Sequence, residues 1–279
     1  MTQNQTAMAA QPVTVDRLTI IAIAALAYVL EVFLHELLGH GGACLALGGR
    51  LAEIGAFYVN CDYANLSGLG VRLVALGGPL ISLLTGVIGL LVLHRLPITA
   101  FRAKYFIWLF SSIGLMTATG YLLFSGITGI GDFGTSQDGM LYQATPAWAW
   151  QVGLTLLGLV SYLWVAIILA HAMDRIIGGT DVERIRRARL LALTSYLTGG
   201  VVSVLIGLLN PLGIFIVLAS SAAGSLGGTA ALLWMMQFLN RKATSPAPLL
   251  QITRDWRWIA VGIIVTVLYA VILGPSLHP

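Results

Sequence analysis

The chain has 279 residues, 58% of them apolar and only 9% charged, with a mean hydropathy of +0.89. Soluble domains carry roughly a quarter charged residues, so a water-soluble monomer is excluded and a polytopic membrane protein remains. The net charge of +4 comes from basic residues lying between apolar stretches, so it reports topology and not a nucleic-acid partner.

The first sixteen residues, ending at Asp16, are polar and rich in Thr and Gln. They lack the ordered regions of a secretory signal, and a short flexible cytoplasmic tail is expected. Seven apolar stretches follow, at 18–47, 71–94, 105–130, 147–172, 188–209, 212–239 and 256–275. A spanning segment must satisfy its backbone internally, so each is expected as a lipid-embedded helix. Of the 15 Lys and Arg, only Arg50 and Arg72 fall in loops of one side. That bias places the N-terminus in the cytoplasm and the C-terminus outside. The basic run from Asp181 to Arg189 is expected at a cytoplasmic helix end against anionic headgroups. Trp148, Trp150, Trp256 and Trp258 lie at span edges, as interfacial anchors do.

Between the first two spans, the aromatic run Ile54-Gly-Ala-Phe-Tyr-Val leads into Asn60-Cys-Asp-Tyr. This predicts a short hairpin or re-entrant loop on the outer side, at 51–64. Cys44 and Cys61 map to the same side. A disulfide is open to them in an oxidising compartment, while small buried side chains are the commoner use of two cysteines in an apolar protein. The fold expected is therefore all-α, with about seven transmembrane helices and one hairpin or re-entrant loop.

The first span contains Glu31-Val-Phe-Leu-His35-Glu36-Leu-Leu-Gly-His40. Ionisable groups at membrane depth are expensive and mark function. Neutral imidazoles suit zinc, and a carboxylate beside one of them suits a general base acting on water. The two histidines stand at i and i+5, whereas zinc peptidases commonly use H-E-x-x-H with an i, i+4 pair. In a regular helix, i and i+5 are about 140° apart. A π-bulge would return them to one face, and Gly39, Gly41 and Gly42 make the distortion cheap. The alternative uses the regular pairs Glu31/His35 and Glu36/His40, which turns Glu36 into a ligand. His94, His171 and His278 fall at helix ends or in the tail and are poor ligand candidates.

In these residues the chain resembles the site-2 protease family of intramembrane zinc metallopeptidases. The resemblance rests on His35-Glu36-Leu-Leu-Gly39-His40-Gly41, on Gly48-Gly49-Arg50, on the outer loop, and on Gly77-Gly78-Pro79-Leu80-Ile-Ser. It covers about residues 20 to 140 and departs from the family in the extra leucine. The same His-Glu-Leu-Leu-Gly-His string is characteristic of dipeptidyl peptidase III, a soluble zinc peptidase to which the rest of the chain has no likeness. The resemblance implies one zinc per chain on His35 and His40, activation of water by Glu36, and a third ligand from an aspartate on a later helix. Asp132 in Gly-Asp-Phe and Asp138 in Gln-Asp-Gly compete for that place, and Asp132 is preferred because it lies closer to membrane depth. It also implies a membrane-protein substrate and a bacterial cytoplasmic membrane. Its organisation would be a catalytic core at 17–145 followed by further helices at 146–279. Asn210, in Asn-Pro-Leu-Gly between the fifth and sixth spans, is a candidate to steady a tetrahedral intermediate and equally a turn residue. The competing classes are a non-catalytic scaffold of the same shape and a proton-coupled transporter using Glu31, Glu36 and the histidines.

Overall fold

Apolar runs in this chain become helices because nothing in a bilayer core can replace intrahelical hydrogen bonds. The computed structural model describes residues 15–97, 99–136, 139–178, 181–239 and 250–279. Six helical stretches are long and apolar enough to cross a membrane: Arg17–Ala46, Gly68–Leu93, Phe101–Thr128, Ala147–Ile177, Arg184–Gly207 and Trp256–Leu273. The first joins α1 (Arg17–Phe33), a π-helical turn (Leu34–Gly41) and α2 (Gly42–Ala46). The others are α3 (Gly68–Leu93), α4 (Phe101–Thr128), α5 (Ala147–Ile177), α6 (Asp181–Gly207) and α8 (Trp256–Leu273).

Helix α1 lies in the middle of the bundle, packed against α4, α6 and α8, with Ile20, Ile23, Ala24 and Ala27 wholly enclosed. Its start is capped by the Asp16 carboxylate, which accepts from the Thr19 amide at 2.9 Å. Val15 is bridged to Ile252. The expected flexible tail therefore ends before Val15, and 1–14 lie outside the described residues.

The stretch 212–239 departs from expectation. It is a succession of short pieces: α7 (Ile214–Ile216), π turns Val217–Ser221 and Ala223–Gly228, and 3-10 turns Ala230–Leu233 and Met235–Phe238. Its composition explains this. Glycines give little helix preference, and Ser221, Ser225 and Thr229 each donate to the carbonyl four residues back, which bends helices. The stretch still runs from one end of the bundle to the other. Asn210, just before it, donates to the Gly274 carbonyl at one end, and Met235–Phe238 packs on α5, whose last residue, Ile177, accepts from Leu250 at the other.

The described basic residues, Arg50 and Arg72 apart, gather at the Asp16/Ile177 end, where Arg254 pairs with Asp16 at 3.0 Å and Arg102 with Asp255 at 3.4 Å. The headgroup expectation for 181–189 is only half met. Arg186 and Arg189 are exposed, but Arg184 and Arg187 turn inward, to Asp174 at 3.2 Å and to the Ile177 carbonyl at 3.4 Å. Trp148, Trp150 and Trp256 are exposed at helix starts, whereas Trp258 packs on Phe106.

At the opposite end, β1 (Arg50–Ile54) and β2 (Val59–Asp62) form the expected hairpin, antiparallel, with Ile54 opposite Val59. Ile54 and Leu277 exchange both backbone hydrogen bonds at 2.9 Å, so the C-terminal tail covers β1. The Tyr58 hydroxyl donates to Glu53 and holds that carboxyl below its ordinary value. Cys44 and Cys61 are joined in a disulfide, which corrects the reading of them as small buried side chains. The bond ties β2 to the helix that carries His40.

Candidate metal centre

The first helix meets the spacing problem by widening one turn. The π-helical turn Leu34–Gly41 adds a residue to the repeat, and the His35 and His40 rings come onto one side with their Nε2 atoms 3.3 Å apart. The regular-pair alternative is not what forms. Glu31 does not join the histidines but accepts from Ser82 Oγ at 2.6 Å.

Helix α3 braces this turn at very close range. A Cβ on Gly39 would lie 2.5 Å from Gly78 Cα, and one on Gly78 would lie 2.6 Å from His35 Nε2 and nearer still to His40 Nε2. Gly78 is therefore the space into which both imidazoles fit, and Gly77 lets α3 approach the Gly39 backbone. Pro79 follows inside α3. It has no amide hydrogen to bond the carbonyl four residues back.

Each imidazole is oriented through its far nitrogen. His40 Nδ1 lies 2.8 Å from the Val74 carbonyl, which can only accept, so Nδ1 is the N–H donor and Nε2 is the nitrogen left to face a metal. His35 Nδ1 lies 2.9 Å from Ser82 Oγ. The Ser82 proton goes to Glu31, so that oxygen accepts from His35 Nδ1, and Nε2 is again the nitrogen turned to the cluster.

Asp132 arrives from the turn after α4. Gly129 and Gly131 adopt φ of +75° and +84°, values that glycine reaches without strain. The chain folds back, and the Met140 amide donates to the Asp132 carbonyl at 2.8 Å. The carboxylate stands 3.3 Å from His35 Nε2 and 3.5 Å from His40 Nε2.

Asp132 Oδ2 is buried without a hydrogen bond. With both Nδ1 atoms directed elsewhere, the two Nε2 atoms and the Asp132 carboxylate face one another, all within 4.8 Å. The group His35, His40 and Asp132 can thus hold a metal ion, and it is the one such group among the described residues. Asp138 lies outside the described residues.

Glu36 is buried, and its carboxylate makes no hydrogen bond among the described residues. It borders two spaces. One is a narrow inner cavity of about 30 Å³ shared with Glu31, His35 and Ser203, and the other is a vestibule of about 510 Å³ shared with His40, Asn60 and Asp132. A third space, an apolar groove of about 410 Å³, lies between Phe124 and Ile127 of α4 and Gly224 and Gly227 of the broken stretch. Tyr121 borders all three, its ring stacked on His35 at 5.3 Å.

Asn210 is not brought to the cluster. Its amide donates to Tyr58 and Gly274, and its oxygen accepts from the Leu212 amide, so it closes a turn and supports the hairpin. Conversely, sequence reasoning did not single out Val74, Ser82 or Tyr121. One apolar residue, one serine and one aromatic in long apolar helices carry no signal of their own.

Comparison with protein-family models, curated proteins and solved structures finds no match.

Proposed function

We propose that this chain is an intramembrane zinc metalloprotease of the site-2 protease type, cutting peptide bonds in or near transmembrane segments of other membrane proteins. The observation that carries the reading is the convergence of two imidazoles and one carboxylate on an enclosed point, with the buried Glu36 carboxylate beside them, free of hydrogen bonds among the described residues. Two histidines and a carboxylate with an open fourth position are the donor set of catalytic zinc.

Zinc bound by His35, His40 and Asp132 would polarise the scissile carbonyl and lower the pKa of water. Glu36, which borders the vestibule, is placed to take a proton from water and to deliver one to the leaving amine. The outward vestibule admits water to Glu36. Strand β2 borders the same vestibule, and its edge away from β1 is unpaired among the described residues, so an extended substrate segment can add there as a strand. The hairpin end faces away from the cytoplasm. The clustering of basic residues at the opposite end supports this, as does the disulfide, which persists in oxidising compartments. A bacterial cytoplasmic membrane fits that arrangement.

The test is zinc content of the detergent-solubilised protein by elemental mass spectrometry, beside cleavage of single-span reporter proteins in liposomes. About one zinc per chain is expected, lost in His35→Ala, His40→Ala and Asp132→Ala and kept in Asp138→Ala. Glu36→Gln is expected to keep zinc and lose cleavage by at least about a hundredfold. A wild type that takes up no zinc from excess metal overturns the proposal. Zinc without cleavage, and a phenotype indifferent to Glu36→Gln, point to the scaffold.

A further inference from the structure

Both histidines are held at Nδ1, but by different means. His40 donates to a backbone carbonyl, which has no proton to offer and cannot change roles. His35 rests on a hydroxyl, which can either accept or donate. If Ser82 donated its one proton to His35 Nδ1, the ring would carry its hydrogen on Nε2 and could not bind a metal. What decides is the other partner of Ser82. Glu31 Oε1 takes that proton at 2.6 Å, and Glu31 and Ser82 are 2% and 1% exposed, so little water can compete for it.

We infer that Glu31 is a positioning residue of the metal site: it acts through the Ser82 hydroxyl to set the tautomer and direction of His35. The inference rests on the metal-site reading above. Glu31 does not touch the three ligand atoms, and its effect is transmitted along one hydrogen-bond chain. A carboxylate in the middle of the first span thereby has a use that requires neither ligation nor proton transport.

The experiment measures zinc affinity of the full-length protein in detergent by competition with a chromophoric chelator. The visible spectrum of the cobalt-substituted protein reports ligand geometry. Glu31→Leu and Ser82→Ala are each expected to weaken zinc by about 10- to 100-fold, the usual effect of losing an outer partner. The double variant is expected to be no weaker than either single one, because both cut the same chain. Glu31→Gln keeps an oxygen that accepts from Ser82 and is expected to stay within about threefold of wild type with an unchanged cobalt spectrum. Should Glu31→Leu fail to fold, Ser82→Ala and Glu31→Gln still separate the two outcomes. Additive losses, a glutamine variant as weak as the leucine one, or unaltered affinity in Ser82→Ala would each overturn the role of Glu31 alone. A wild type that binds no zinc would overturn the metal site and this role with it.

Discussion

Two regions of the molecule leave α-helical geometry for π turns, and they do so for different reasons. In Leu34–Gly41 the extra residue brings His35 and His40 into phase, and the turn is held from outside by Val74, Ser82 and the Gly77-Gly78 face of α3. In 217–228 the distortion is built on Ser221, Ser225 and Thr229 returning their hydroxyls to carbonyls of the same stretch, with the Tyr162 hydroxyl donating to the Gly228 carbonyl at 2.7 Å from outside. There the widened, small-residue wall borders a cavity at Gly224 and Gly227. One irregularity aims side chains, and the other makes room.

If that contrast is right, metal binding is sensitive to the neighbours of the first turn and indifferent to the back-bonded hydroxyls of the second. The largest effect is expected from Gly78→Ala. The added methyl displaces both imidazoles, and zinc content should fall to a small fraction of wild type, with a folding cost of about 1–3 kcal/mol from overpacking. Loss of zinc without loss of fold, read by elemental analysis and thermal unfolding, sharpens the comparison. Retention of full zinc breaks it. Next comes the paired Cys44→Ser and Cys61→Ser change. The bridge closes a separation of 17 residues, which stabilises by roughly 3 kcal/mol in the loop-entropy account. A lower unfolding temperature is expected with zinc affinity reduced less than about tenfold, since the ligands themselves are braced by α3 and the Asp132 turn. The smallest effect belongs to Ser225→Ala in the second region. Its back-bonded hydroxyl contributes no more than about 1 kcal/mol, and zinc affinity should not move. A marked loss of zinc in this variant would mean that the two regions are coupled.

Much of this arrangement is legible in the chain itself, and the limits are physical. The solvent is an additive property: 58% apolar and 9% charged residues need no fold to exclude water. Span positions follow because lipid leaves the backbone no other partners, and six of the seven expected spans are helical stretches long enough to cross a membrane. The seventh is apolar enough to be expected as a helix, but serine back-bonding and glycine break it, and hydropathy does not register that. The π turn is foreshadowed by glycines around an i, i+5 pair, since local backbone cost is a local quantity. Longer-range facts were out of reach. Asp132 becomes the third donor only because α4 ends beside the π turn. Val74 and Ser82 become imidazole partners only because two glycines let α3 approach. The disulfide exists because a hairpin folds back over α2, and Asn210 is drawn to Tyr58 and Gly274 instead of the His35–His40–Asp132 cluster. The sequence by itself determined the solvent, the helices and which residues were worth suspecting. Tertiary structure alone decided which of them meet and which nitrogen each imidazole presents, because those depend on distances between residues far apart in the chain that only close packing sets.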